Sequence, residues 1–83
     1  VNALEGPLSF ATASAWFAQA EALSRAGQLS LAKVAQCDSA GLALLLELKR
    51  RAQRAQQPLH FTDVPQQLRE LSGFFGLDRA LGF

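Results

Sequence analysis

The chain has one cysteine and one histidine among its 83 residues. A single thiol, Cys37, excludes an intramolecular disulfide and a thiolate metal cluster, and it gives no reason to look for an oxidising compartment. The lone His60 would have to anchor any Ser–His–acid triad or histidine-based metal site by itself, from within a strand-like segment. Charge is scarce in both signs. Eight Lys and Arg against seven Asp and Glu leave a formal net charge of +1, too little to attract nucleic acid, which needs several cations on one face. No run approaches the roughly 20 apolar residues of a membrane span, and the start lacks the basic-then-apolar pattern of a signal peptide. The chain contains no G-x-x-x-x-G-K-[ST] phosphate loop, no G-x-G-x-x-G fingerprint, and no pair of carboxylates spaced to converge on one substrate. The expectation from these absences is a cytoplasmic protein that is not an enzyme, holds no metal or cofactor, and neither binds nucleic acid nor inserts directly into a membrane.

What is present is hydrophobic and ordered. Residues 1–83 are expected to form a single domain with a modest core, and a hydrophobic content of 49% is ample for a packed interior. Leu4 to Phe10 alternates at Leu8 and Phe10 around Gly6-Pro7, which predicts a short or irregular strand, since proline confines a strand to an edge, a start or a bulge. From Thr12 onward Ala13, Trp16, Phe17, Ala20 and Leu23 recur at helical spacing up to a stop at Gly27, with Trp16 and Phe17 expected in the core. Leu29, Leu31, Val34 and Cys37 predict a strand over about residues 28 to 35. A second helix is predicted from Ser39 to Ala55, ending before Pro58, and Pro58 to Thr62 then alternates as a strand with Leu59 and Phe61 inward. Asp63-Val64-Pro65 predicts a third helix, with Asp63 as an acidic cap and Pro65 in the first turn. Leu68, Leu71 and Phe75 form its inner stripe, Phe74-Phe75 belong to the core, and Gly76 is the stop. This strand and helix alternation implies crossover connections: an α/β fold with a small, mostly parallel or mixed sheet and about three helices packed on it.

Asp38-Ser39-Ala40-Gly41 stands between the apolar strand and Leu42-Ala43-Leu44-Leu45-Leu46. A serine or aspartate at a helix start accepts hydrogen bonds from its unpaired N–H groups, and capping alone accounts for both residue types. The functional reading is that Ser39 is a contact residue or a phosphate acceptor, because phosphate there would add about −1.5 to −2 charges without disturbing the core. Along the helix that follows, Leu42, Leu44, Leu45, Leu46, Leu48, Ala52 and Ala55 fill a wide apolar arc, opposite Ala43, Glu47, Arg50, Arg51 and Arg54. Ala43, Glu47, Arg50 and Arg54 follow i, i+4, i+7, i+11, so a partner lying along this face meets a small residue and then a charge ladder. The basic cluster Lys49-Arg50-Arg51 and Arg54 also reads as a solvated end complementing the helix dipole.

At this hinge the sequence resembles the STAS family, shared by sulphate transporters and anti-sigma factor antagonists. The resemblance rests on Leu4-Glu5-Gly6-Pro7-Leu8-Ser9-Phe10, Asp38-Ser39-Ala40-Gly41-Leu42-Ala43-Leu44-Leu45-Leu46, Pro58-Leu59-His60-Phe61, and Leu68, Leu71, Gly76 and Leu77. It implies a STAS fold whose usual first strand would precede Val1. In anti-sigma factor antagonists the residue before the glycine is the phosphorylated serine, and here that position is Ala40. The small residue followed by Gly-Leu-Ala-Leu-Leu looks more like the STAS subunit of the Mla phospholipid-transport ABC system. In that subfamily the hydroxyl residue after Asp helps dock on the ATPase, and only Ser39 carries this over. The resemblance thus implies an ABC ATPase as partner, at the inner face of the inner membrane, docked at Ser39; with the helical face read above, the expected contact residues are Asp38, Ser39, Ala40, Gly41, Ala43, Glu47, Arg50 and Arg54. The alternative is a phosphorylation switch at Ser39 that binds an anti-sigma factor.

Overall fold

The computed structural model describes residues 3–83. Their order is β1 (Ala3–Leu8), α1 (Ala13–Phe17), α2 (Ala20–Ser24), β2 (Gln28–Cys37), α3 (Ser39–Arg54), β3 (His60–Thr62), α4 (Gln66–Phe74) and α5 (Asp78–Leu81). The three strands form one wholly parallel sheet in the order β1-β2-β3. Two crossovers that step in the same direction, each right-handed as such connections are, place their helices on one face of the sheet. In agreement, α1 and α2 both pack against α3. The α/β class is as expected, with five helices rather than about three.

The core lies between the sheet and α3. Leu4 and Leu8 of β1, Leu29, Leu31, Val34 and Cys37 of β2, and Leu42, Leu44, Leu45, Leu48 and Ala52 of α3 are buried together. Against this, Ala32, Lys33, Ala35 and Gln36 of β2 are exposed. The spacing of the buried β2 positions drifts from two to three residues because the β1–β2 ladder shifts register twice, between Ala3 and Glu5 and between Gly6 and Leu8. Pro7 has no N–H for the ladder, and Gly6 takes a left-handed φ of 79°, a conformation that costs glycine little. The irregular strand expected from Gly6-Pro7 is therefore an edge strand whose ladder shifts register on either side of Glu5-Gly6, with the extra residue at each shift lying on β2.

Four expectations need correction. The helix predicted continuously from Thr12 is two short helices. Trp16 turns its indole N–H to the Pro7 carbonyl at 3.2 Å, whereas Ala20, Leu23 and Ser24 are the residues that α2 buries. The Gln19 N–H tightens to the Trp16 carbonyl at 2.9 Å, and this i+3 bond breaks the helix so that each half can meet its own partner. The strand predicted to end near residue 35 runs to Cys37. Asp63 does not cap α4: it has a left-handed φ of 55°, and its carboxylate accepts from Ser30 Oγ at 2.9 Å and Thr62 Oγ1 at 3.3 Å. Pro65 sits at the cap position itself, one residue before the helix. Finally, Phe17, Phe74 and Phe75 are not core. They are 38%, 83% and 48% exposed, and Phe10 is 85% exposed.

The inner side of α4 is held by Leu68 and, unexpectedly, by fully buried Ser72. Its hydroxyl bonds the Arg69 carbonyl and the Asp78 carboxylate, which ties α4 to the start of α5. The single hydroxyl proton is shared between these two acceptors, and a small polar side chain so bonded can occupy an interior position. The next two residues but one, Phe74 and Phe75, are left to stack edge-to-face on each other at 5.3 Å.

Candidate functional site

The hinge is built by Asp38. In extended conformation, it caps α3 by accepting from the N–H groups of Ala40 at 2.9 Å and Gly41 at 3.2 Å through Oδ1. Oδ2 accepts from the Phe10 N–H at 3.0 Å, and the Asp38 N–H donates to the Leu8 carbonyl at 3.2 Å. The carboxylate thus joins the loop after β1 to the start of α3, while the backbone N–H of the same residue holds the end of β1. The Phe10 N–H, with those of Gly41 and Ala40, holds the Asp38 carboxyl below its ordinary pKa against the opposing effect of desolvation, because each bond favours the ionised form. Asp38→Asn should separate the two roles. Its amide oxygen can still cap α3, but its NH2 cannot accept from Phe10. Amide exchange at Phe10 should accelerate while that at Ala40 and Gly41 stays slow.

Since Asp38 does the capping, Ser39 is not a cap. It occupies the first helical position, exposed. Ala40 beside it is half-buried, and Gly41 is buried where α3 meets β1 and β2. A Cβ on Gly41 would meet the Leu8 backbone carbonyl, with Cys37 Sγ at 2.7 Å and Leu8 Cβ at 2.8 Å. The glycine therefore sets how closely the helix approaches the sheet and presents no side chain outward. Cys37 lies beneath it with its thiol pushed up to about 11, mainly by burial and then by the Asp38 charge, far from the thiolate that a nucleophile or metal ligand would be.

Next to Ser39 a shallow groove of about 180 Å³ opens between α3 and the α4–α5 link. Ser39, Leu42, Ala43, Leu46, Phe75 and Leu77 line it. It is apolar except at the Ser39 end. The structure thus brings Ser39 and Ala43 together and adds Leu46, Phe75 and Leu77, which sequence reasoning missed. One signal was there: two adjacent aromatics on a helix, about 100° apart, cannot both face the same core stripe.

Farther along α3 lie Glu47, Arg50, Arg51 and Arg54. Glu47 is tightly held: it accepts from Arg50 Nε at 2.8 Å and Nη2 at 2.7 Å, and from Arg51 Nε at 2.7 Å. Arg51 also reaches Glu21 on α2 at 3.0 Å. The Arg50 and Arg51 hydrogen bonds pull the Glu47 carboxyl down to about 2. Of the predicted ladder, Ala43, Arg50 and Arg54 are exposed and Glu47 is half-buried under its arginines. Lys49 departs from the solvated basic end expected of it. Its ammonium donates to the Leu59 carbonyl at 2.6 Å and lies 5.6 Å from the centre of the Phe61 ring, fastening α3 to β3.

A wider depression of about 550 Å³ lies elsewhere, lined by Ala26, Gly27, Gln28, Ser30, Thr62 and Asp63. Its one charged group, Asp63, already accepts from the Ser30 and Thr62 hydroxyls. His60 is exposed on the short edge strand. Among the described residues no three His, Cys, Asp or Glu side chains gather as a metal site would require, and no helix is long and apolar enough to cross a membrane.

A family model described as Mlab, STAS domain matches residues 3–82. The chain is a STAS domain. The match takes in every described element, from β1 through α5. Comparison with curated proteins finds no match. STAS domains are small protein-interaction domains, and in this one the exposed hinge serine, the apolar groove and the arginines all lie on α3, the helix around which the molecule is packed.

Proposed function

We propose that this STAS domain is a non-enzymatic cytoplasmic subunit that binds and supports the ATPase of an ABC-type phospholipid transporter, one that maintains outer-membrane lipid asymmetry. The observation that carries the reading is the conjunction at the start of α3. Ser39 is exposed and relieved of capping by Asp38, it borders an apolar groove, and Ala40 occupies the position before Gly41. A docking edge needs such a surface, whereas a phosphorylation switch of the family type needs a hydroxyl where Ala40 stands. The Mlab description of the matched family supports the same choice. Binding acts by population: a subunit that prefers one state of the ATPase shifts the ATPase toward that state, to the extent of its differential affinity.

The test is titration of the purified transporter ATPase with wild type and Ser39→Arg. Ser39 makes none of the capping bonds, so the variant should melt close to wild type while binding at least about tenfold more weakly, a loss of about 1.4 kcal/mol. Equal affinities would sink the reading. Stoichiometric phosphate on Ser39 after incubation with candidate kinases, with binding to an anti-sigma factor instead of the ATPase, would establish the antagonist reading in its place.

A further inference from the structure

The α3 groove is too small for a lipid or cofactor. At about 180 Å³ it falls below the roughly 300 to 1,000 Å³ of sites that enclose small molecules, but it has room for one large aliphatic side chain. What surrounds it is elongated. Ser39, Ala43, Arg50 and Arg54 are exposed along one side of α3, and at 1.5 Å per residue the two arginines lie about 10 and 16 Å beyond Ala43. Exposed small residues let a second backbone come close, and a row with this spacing is the ridge along which another helix packs. Phe74, 83% exposed and stacked on Phe75, is the kind of aromatic that anchors protein interfaces.

Charge identifies the occupant. Glu47 is shared between Arg50 and Arg51, and Glu21 between Arg51 and Arg25. Two carboxylates thus face three guanidiniums before exposed Arg54 adds a fourth. The face is apolar at the Ser39 end and cationic at the other.

We propose that the groove receives an amphipathic helix of the partner protein, with an apolar side chain seated beside Ala43 against Phe75 and Leu77 and with carboxylates two to three turns along that meet Arg50 and Arg54. This deepens the reading of this face as a protein-docking surface and rests on it. The helix-in-groove mode supplies affinity through its apolar anchor, and the acidic end sets register and direction.

The experiment measures binding of the purified ATPase to wild type, Arg54→Glu, Arg50→Glu and Phe74→Ser, at about 50 and about 500 mM salt, concentrations that span strong changes in screening. Circular dichroism and melting of each variant confirm the fold. Expected are a tenfold or greater loss for each charge reversal at low salt, a wild-type affinity that falls with salt, and a charge-reversed affinity that does not. If wild type binds the ATPase but charge reversal and salt leave affinity unchanged, the acidic-helix proposal is overturned while the docking function stands. If wild type does not bind the ATPase, the functional reading fails, and a synthetic helical peptide with leucines on one stripe and glutamates two to three turns on becomes the probe. Its binding to wild type, lost in Arg54→Glu and in a lysine-for-glutamate peptide, supports the proposal. No binding overturns it.

Discussion

Gly41→Ala should destabilise the domain by about 2 kcal/mol or more, enough to lower its denaturant midpoint sharply. Two effects oppose each other. Alanine is a better helix former than glycine by about 1 kcal/mol, and Gly41 lies within α3. Overpacking a tight site costs typically about 1–3 kcal/mol, occasionally more. Here the obstruction is severe because the new methyl would run into the Leu8 backbone carbonyl as well as Leu8 Cβ and Cys37 Sγ, and backbone in a strand cannot rotate away like a flexible side chain. Steric cost therefore wins. Chemical denaturation decides the matter, and a variant as stable as wild type would mean that α3 does not sit as close to β1 as described.

The second large effect is a cavity. Leu45 is fully buried on α3, the element that touches α1, α2, α5, β1 and β2. Leu45→Ala should cost about 2–5 kcal/mol. At about 0.05–0.15 kcal/mol per residue, a domain of this size has a total stability on the order of 4–12 kcal/mol, so this loss is a large share of it. Thermal or denaturant unfolding would measure it. A loss below about 1 kcal/mol would show that the neighbouring elements collapse readily onto the gap and that α3 is less central than its burial implies.

The hinge and α3 were legible in the sequence because several local signals agreed there: a capping aspartate, a strand of buried β-type residues before it, and a leucine run with helical periodicity after it. Asp38 to Arg54 accordingly forms as expected. The misplaced phenylalanines show where such reading stops. Hydrophobicity marks a residue that gains by leaving water, but it does not say whether the cover is the chain's own core or another protein. Phe10, Phe17, Phe74 and Phe75 look like core in sequence and are open in the folded chain. Ser72 is the converse: it looks like surface and lies inside, because Asp78, six residues on, accepts its hydroxyl. The site was half legible for the same reason. Ser39 and Ala43 follow from helix geometry, but the far wall of the groove, Phe75 and Leu77, comes from a segment whose approach to α3 is a tertiary fact.

The wholly parallel sheet has a consequence for how the chain reaches this state. Glu5 pairs with Lys33, and Leu29 with Phe61, so ladder partners are separated by about thirty residues and no hairpin can form first. Loop-closure entropy opposes each pairing until a helix docks over it. The elements best placed to act early are β2 and α3, joined by the short Asp38 turn and sharing the Cys37–Gly41 contact. The same few residues that shape the outward face of the hinge would then also form the nucleus on which β1 and β3 condense, so substitutions at the hinge should be read for folding rate as well as for stability.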